Sequence, residues 1–296
     1  MEDQAVCCYR HPQRETGISC TRCERPICPE CMISASVGFH CPECVRGGAS
    51  ASASASGEPS GPPRRAAEPR TIAGGAYTAD PRLVTKILIG LNIAVWLAVL
   101  GTGDRLVDDF DLVGRAYNPG TADIVGVAEG QWYRLLTVVF LHQEPMHIAF
   151  NMLSLWWIGA PLEAALGRAR YLTLYLLSGL GGSALSYLLA AQNQPSLGAS
   201  GAVFGLLGAT AVLMRRLNYD MRPVIALLVL NLIFTFGWSG IAWQAHVGGL
   251  VVGTAVAYAM VHAPRERRAL VQRGACAVML LAIVATVWVR TLQLTG

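Results

Sequence analysis

The stretch GASGAVFGLLGATAVLMRR, residues 198–216, decides how this part of the chain folds. It carries no charge until the two arginines at its end, and it is apolar enough to form a helix inside a bilayer. Glycines at 201, 205 and 208 give the helix one small-residue face along which another helix can approach closely. Ser200, at its start, would lie below the membrane surface. The stretch therefore predicts a tightly packed membrane helix that carries a hydroxyl group.

The whole chain has the composition of a membrane protein. Of its 296 residues, 53% are hydrophobic and 14% are charged, and the mean hydropathy is +0.42. These values favour a membrane protein over a soluble one. Apolar runs lie at 83–100, 147–166, 171–190, 200–214, 223–236, 244–261 and 275–289. The sequence predicts an all-α polytopic membrane protein with up to seven transmembrane helices.

The arginines predict the orientation of these helices, because basic residues gather in cytoplasmic loops. They precede the first segment and follow the second, fourth and sixth, as in Arg168, Arg170, Arg215, Arg216, Arg265 and Arg267. We expect an integral plasma-membrane protein with a cytoplasmic N-terminus. No cleavable signal peptide is expected, since the first 46 residues are polar and rich in cysteine. The net charge of +4 follows from this topology, and no nucleic-acid partner is expected.

Composition divides the chain into three parts. Residues 1–46 hold eight of the nine cysteines, and 81–296 form the membrane unit. Between them, 47–80 is an Ala/Ser/Pro/Gly linker that we expect to be flexible, because it has too little apolar surface to order itself.

The N-terminal part shows the spacing of metal ligands. Four pairs of ligands in so short a segment predict two tetrahedral structural zinc sites, and a cytoplasmic location argues against disulfides. In a cross-braced arrangement one ion binds Cys8, His11, Cys28 and Cys31, and the other binds Cys20, Cys23, Cys41 and Cys44. Cys7 and His40 remain alternatives to their neighbours. The spacing resembles the B-box and related zinc domains, which implies contact with a cytoplasmic protein.

Ser200 and His246 are predicted to lie at the same depth in the membrane. Each stands 15 residues before a cytoplasmic end, at Arg215 and Val261, and so about 22 Å of helix above it. The glycines of the fourth segment, with Gly249 and Gly253 in the sixth, would let the two helices touch. A histidine can take the serine proton during attack on a peptide carbonyl. Because neither segment contains Asp or Glu, the sequence predicts a Ser-His dyad.

His147 and Asn151 share one helical face of the second segment and are candidate donors to an oxyanion, with His142 on the approach to them. The backbone N–H of Ser200 is a further candidate. The alternative is a Zn²⁺ site formed by His142, His147 and His246, for which Glu144 is the nearby carboxylate. We favour the oxyanion role and expect no catalytic cofactor.

At these residues the chain resembles a rhomboid intramembrane serine protease, over nearly all of 81–262. The resemblance rests on Gly198-x-Ser200-Gly201, Ala245-His246-x-x-Gly249-x-x-x-Gly253 and His142-x4-His147-x3-Asn151. Gly159-x3-Glu163-x3-Gly167 and Trp132-Tyr133-Arg134 are similar to further motifs of the family. Phe204 stands where many relatives have tyrosine, and it can still pack beneath the imidazole.

The resemblance implies a six-helix bundle, to which this chain adds a seventh C-terminal transmembrane helix. It implies hydrolysis of single-pass membrane proteins at a site that opens to the extracellular side of the bilayer. The alternatives are a catalytically inactive rhomboid-like protein with a binding or regulatory role, and a zinc-regulated transporter or scaffold. A transporter should show paired broken helices and acidic residues near mid-membrane, and neither is evident.

Overall fold

The structure is a computed structural model that describes residues 6–35, 38–46, 70–76, 78–237 and 241–296. The chain divides into two compact units, Met1–Glu68 and Pro69–Gly296.

The N-terminal unit contains little regular structure. A 3₁₀ turn at Pro29–Cys31 precedes a short antiparallel hairpin of β1 (Ile33–Ser34) and β2 (Phe39–His40), and α1 (Pro42–Arg46) follows. Its described core consists of six cysteines and Ile27, with a few partly buried residues packed around them. A core with so little aliphatic surface is typical of small domains that bound metal holds together.

The C-terminal unit is helical, with a loop region between its first two long helices. That region contains α3 (Asp104–Phe110), a hairpin of β3 (Ala116–Asn118) and β4 (Asp123–Val125), and α4 (Arg134–Thr137), with 3₁₀ turns at Val127–Glu129 and Val138–Phe140. The long helices are α2 (Leu83–Thr102), α5 (Pro145–Leu166), α6 (Arg168–Leu189), α7 (Ser200–Arg216), α8 (Arg222–Gly237), α9 (Trp243–His262) and α10 (Arg268–Thr295), the last preceded by a 3₁₀ turn at Arg265–Arg267.

Each of the seven apolar runs in the sequence corresponds to one of these long helices. By length and composition, four helical stretches in the described chain can cross a membrane: α2, α6, α9 and Arg265–Thr295, which includes α10. At 17 and 16 residues, α7 and α8 are shorter. The prediction of a helical, polytopic membrane fold is confirmed, and the protein is an integral membrane protein.

The centre of the bundle is formed by α6, α7 and α9. Of the spanning part of α6, 61% is buried, against 22% for α2 and 11% for α10. Glycines bring the backbones together: a Cβ added at Gly248 of α9 would lie only 2.5 Å from the carbonyl oxygen of Gly181 in α6. The interface between α7 and α9 therefore lies inside the protein, while α2 and α10 present apolar faces to their surroundings.

Glu163, near the end of α5, binds the start of α2. Its carboxylate accepts hydrogen bonds from the backbone N–H groups of Val84 and Thr85 and from the Thr85 hydroxyl, each at 2.9 Å. These N–H groups belong to the first turn of α2 and have no acceptor within the helix. Glu163 is 1% exposed, so this buried carboxylate fixes the two helices together.

Residues 70–76, which belong to the predicted flexible linker, pack on the membrane unit. The Thr71 hydroxyl accepts a hydrogen bond from the Gly75 N–H at 2.9 Å, and Ala73 is fully buried in the core. The side chain of Gln272 in α10 donates to the Ala73 carbonyl at 3.0 Å. Buried contacts from distant parts of the chain therefore order this segment, despite its linker-like composition.

Candidate active site

Ser200 and His246 meet at the interface between α7 and α9. Ser200 is the first residue of α7, and His246 lies in the first turn of α9. The His246 Nε2 atom lies 2.7 Å from the Ser200 Oγ atom. His246 is 8% exposed and Ser200 is half-buried. This is the geometry in which an imidazole can take a proton from a serine hydroxyl.

The two helices can bring these side chains together because glycines line the contact. A Cβ added at Gly249 would overlap the Gly201 carbonyl oxygen, and one at Gly253 would overlap the Gly205 backbone. A Cβ at Gly201 would lie 3.1 Å from the Ala245 carbonyl oxygen. Any larger side chain at Gly249 would push α7 and α9 apart at the level of the dyad.

Phe204, one turn after Ser200, forms the floor beneath the imidazole. Its ring stacks on that of His246 with centroids 4.2 Å apart and an interplanar angle of 12°. Phe204 is 3% exposed, so the stacked pair is held on the side away from solvent. The ring restricts rotation of the histidine without contributing a hydrogen bond to it.

Thr235 of α8 contacts the other imidazole nitrogen, a contact that the sequence does not predict. Its Oγ1 atom lies 2.7 Å from His246 Nδ1 and 2.7 Å from the carbonyl oxygen of Asn231. Segments four and six contain no acidic residue that could orient the histidine. A threonine in an apolar segment is a weak sequence signal, because most such hydroxyls bond only to their own helix.

His142, His147 and Gly198 lie close together beside the start of α7. The His142 and His147 rings are 5.1 Å apart in an edge-to-face arrangement. His142 is fully buried, and its Nε2 atom accepts a hydrogen bond from the Ala199 N–H at 3.5 Å. Gly198 has a φ of +128°, and a Cβ there would lie 2.6 Å from His147 Cε1. Only glycine fits at this position.

Asn151 is buried on the same face of α5 as His147. Its side-chain nitrogen donates to the His147 carbonyl oxygen at 3.0 Å, which leaves its second N–H and its amide oxygen for other partners. Among the residues that the structure describes, His142, His147 and His246 do not form a group with metal-site geometry. The alternative of a catalytic zinc site therefore gains no support from these positions.

The loop between α2 and α5 is fixed by Arg134. Its guanidinium donates to the Asp111 carboxylate at 2.7 Å, to the Asp111 carbonyl at 2.9 Å and to the Asp108 carbonyl at 2.9 Å. Its Nε donates to the Gln131 side chain at 2.7 Å. Arg134 is 1% exposed, so a buried cation with four hydrogen bonds holds the loop in place.

In the N-terminal unit the cysteines and one histidine form two groups of metal-site geometry. The groups are those of the cross-braced arrangement: Cys8, His11, Cys28 and Cys31, and Cys20, Cys23, Cys41 and Cys44. Within each group all ligand atoms lie within 4.8 Å of one another. Neither Cys7 nor His40 belongs to the groups that the described residues form.

The donor atoms fit tetrahedral zinc. A tetrahedral Zn²⁺, with bonds of about 2.3 Å to sulfur and about 2.0 Å to nitrogen, separates its ligand atoms by about 3.5–3.8 Å. His11 Nδ1 lies 3.2, 3.5 and 3.9 Å from the sulfur atoms of Cys28, Cys31 and Cys8, and Cys23 Sγ lies 3.7 Å from Cys41 Sγ. The Cys23–Cys41 separation is far beyond the roughly 2.05 Å of a disulfide bond, and the cysteines of both groups are free. Burial and the neighbouring Cys8 and Cys28 sulfurs raise the pKa of Cys31 to about 11, whereas a coordinated cation favours the thiolate.

Comparison with known proteins identifies the membrane unit. The Rhomboid domain family matches residues 129–263, which include Ser200 and His246. Over 139 residues the chain is 40% identical to the rhomboid protease GluP of Bacillus subtilis, a match that covers 45% of this chain and 27% of GluP. It is 34% identical over 165 residues to the rhomboid-type serine protease 2 of Emericella nidulans, covering 54% of this chain and 33% of that protein.

A further relative matches over almost its whole length. The putative rhomboid protease YdcA of Bacillus subtilis is 34% identical over 190 residues, which are 62% of this chain and 92% of YdcA. The alignment therefore spans nearly the whole length of YdcA, and this chain belongs to the rhomboid family.

Proposed function

We propose that this protein is an intramembrane serine endopeptidase that hydrolyses peptide bonds in or next to transmembrane segments of other proteins. The observation that carries the proposal is the 2.7 Å separation of His246 Nε2 and Ser200 Oγ, in a family whose named members include serine proteases. The buried contact between glycine faces holds this pair inside the bundle, where ionisable groups are usually functional.

In the proposed reaction, His246 Nε2 takes the hydroxyl proton as Ser200 Oγ attacks the scissile carbonyl carbon. The carbonyl π electrons move to the oxygen, which becomes an oxyanion. When the tetrahedral intermediate collapses, the C–N bond breaks and His246 gives the proton to the leaving amine. Water, deprotonated by His246, then hydrolyses the acyl-enzyme ester and regenerates the Ser200 hydroxyl.

We assign stabilisation of the oxyanion to His147, Asn151 and the backbone N–H of Ser200. His147 borders Gly198 just before the nucleophile, and Asn151 lies one turn further along α5. The Ser200 N–H belongs to the first turn of α7, where backbone donors lack intrahelical acceptors. Each such donor contributes about 3 kcal/mol to transition-state stabilisation. No cofactor is proposed for catalysis.

The substrates proposed are single-pass transmembrane proteins in the same bilayer. A helical peptide bond hides its carbonyl in the backbone hydrogen-bond ladder, so the substrate segment must unwind before attack. We place the protein in the plasma membrane, with its N-terminus in the cytoplasm and its active site open to the extracellular side. The arginine distribution supports this orientation.

For the N-terminal unit we propose a domain over 1–46 that is folded around two structural Zn²⁺ ions and tethered by the linker. Its proposed role is to recruit or sense a cytoplasmic protein. Deletion of 1–46 tests this role: it should change the set of proteins that co-purify with the chain or its cleavage of a reporter in cells. If neither changes, the domain has no such role.

The catalytic proposal is tested by labelling the purified full-length protein with a fluorophosphonate, which reacts with activated serines. Wild type should be labelled, and both Ser200→Ala and His246→Ala should abolish labelling. The same variants should abolish cleavage of a transmembrane reporter in reconstituted bilayers. A folded wild type that neither labels nor cleaves would instead favour the alternative, a catalytically inactive rhomboid-like protein with a binding or regulatory role.

A further inference from the structure

Thr235 contacts His246, but the proposed dyad gives it no role. Most of α8 is exposed, as at Ile225, Ile233 and Phe236, but Thr235 is 3% exposed and lies against the imidazole. We propose that Thr235 is a positioning residue that holds His246 in the tautomer needed to accept the Ser200 proton. This inference rests on the proposed function and adds a third residue, from a third helix, to the dyad.

The contacts of the Thr235 hydroxyl favour one tautomer of His246. A threonine hydroxyl has one hydrogen, and the carbonyl oxygen of Asn231, 2.7 Å away, can only accept. We assign the hydroxyl hydrogen to the Asn231 carbonyl, so that Oγ1 accepts from His246 Nδ1 at 2.7 Å. In neutral imidazole, a hydrogen on Nδ1 leaves Nε2 as the acceptor. Nε2 is the atom that faces Ser200 Oγ, at 2.7 Å.

The same hydrogen bond also serves the charged state of the histidine. When Nε2 takes the serine proton, the imidazolium still donates its Nδ1 hydrogen to Thr235, so no rearrangement is needed during the step. A hydroxyl is a neutral acceptor and stabilises the imidazolium less than the carboxylate of a Ser-His-Asp triad does. Phe204 fixes the plane of the imidazole ring by stacking beneath it. Thr235 fixes the tautomer, which is the choice of the ring nitrogen that carries the hydrogen.

Substitution at position 235 separates this role from mere packing. Thr235→Val keeps the branched shape and removes the acceptor, whereas Thr235→Ser keeps the hydroxyl and loses a methyl group. Since a hydrogen bond to a charged group contributes about 10- to 100-fold to an equilibrium or a rate, we expect Thr235→Val to slow fluorophosphonate labelling of Ser200 by that factor. Thr235→Ser should stay within about threefold of wild type.

Thr210→Val is the matched control. The Thr210 hydroxyl donates to its own helix, at the Leu206 carbonyl, as that of Thr235 does, and Thr210 lies nearly three turns along α7 from Ser200. It should label at the wild-type rate. Equal slowing in both valine variants would overturn the inference, because the loss would then follow from removing any such hydroxyl.

A second measurement reads the tautomer itself and does not depend on activity. Nitrogen-15 NMR of the histidine-labelled full-length protein, with the His246 signals identified by their loss in His246→Ala, should show a protonated Nδ1 and an unprotonated Nε2. Thr235→Val should shift these signals toward a mixture of tautomers. Unchanged signals would overturn the inference. An inactive wild type with the expected tautomer would overturn the proposed function and leave the positioning of His246 by Thr235 supported.

Discussion

Gly249 of α9 lies against Gly201 of α7 so closely that a methyl group at Gly249 would overlap the Gly201 carbonyl oxygen. Gly249 is three residues after His246, and Gly201 directly follows Ser200. This backbone contact therefore sets the separation of the two helices at the level where the serine hydroxyl meets the imidazole.

Gly249→Ala should lower both the thermal stability and the reactivity of Ser200. In the interior of most helices, replacing glycine with alanine stabilises the helix by about 1 kcal/mol. Here the added methyl group must force two helices apart, at a cost of about 1–3 kcal/mol. A displacement of about 1 Å can slow catalysis about a hundredfold. Thermal unfolding and fluorophosphonate labelling in one detergent measure both effects.

The control for this prediction is Gly90→Ala in α2. Nothing lies within 4 Å of a Cβ added at Gly90, so the general preference for alanine should apply, and the melting temperature should stay equal or rise. If Gly249→Ala behaves like Gly90→Ala, the backbones of α7 and α9 are not in contact at this point.

Arg134→Met should unfold the loop between α2 and α5 at a lower temperature. The change keeps an apolar stem but leaves the buried Asp111 carboxylate without its cation, and breaking a buried ion pair costs about 3–5 kcal/mol. The measurement is the melting temperature of the purified protein. Lys86→Met is the control, because the Lys86–Asp80 pair is largely exposed and should contribute less than about 1 kcal/mol. Equal shifts in the two variants would show that Arg134 is not buried in an ion pair.

The full-length protein should purify with about two zinc ions per chain, in line with its two groups of four ligands. Cys20→Ser removes a ligand from one group and should reduce the zinc content to about one ion. Cys7 lies outside both groups, so Cys7→Ser should leave the zinc content unchanged. Metal analysis of the three proteins by mass spectrometry decides the matter. A Cys7→Ser variant that loses zinc would show that the ligand set includes Cys7.

Much of the fold and of the site follows from the sequence, because membrane helices are specified locally. Apolar length predicts each long helix. Ser200 and His246 each lie 15 residues before the predicted cytoplasmic end of their segment, at Arg215 and Val261, and these equal distances predict that they lie at one depth. The glycines at 201 and 249 predict that the two helices touch. These three inferences depend only on helical rise and residue size, so they require no knowledge of the tertiary structure.

Two features could not be predicted, because each depends on a contact between distant residues. Thr235 is an ordinary hydroxyl in segment 223–236 until α8 packs against α9 and places it beside His246. Residues 70–76 have the composition of a linker, and they become ordered through partners such as Gln272, 199 residues from Ala73. The composition of a segment indicates how much apolar surface it can bury by itself. It does not indicate which contacts a distant helix will provide.

The last prediction concerns Gln272, which joins segment 70–76 to the membrane helices. Its side-chain nitrogen donates to the carbonyl oxygens of Ala73 and Met260 at 3.0 and 2.8 Å, and its oxygen accepts from Arg170 Nε at 2.8 Å. Gln272 is 5% exposed. Gln272→Leu removes the donor to the two buried carbonyl oxygens, at about 1–3 kcal/mol for each that stays unpaired.

We expect Gln272→Leu to lower the melting temperature and to speed trypsin cleavage after Arg70, because the segment that follows Arg70 loses its anchor on α10. Mass spectrometry of the fragments identifies the cleavage site. Gln293→Leu is the control on the same helix: that side chain is exposed, and its contact with Arg290 is long, at 3.4 Å. If the two leucine variants are cleaved after Arg70 at the same rate, Gln272 does not hold this segment on the membrane unit.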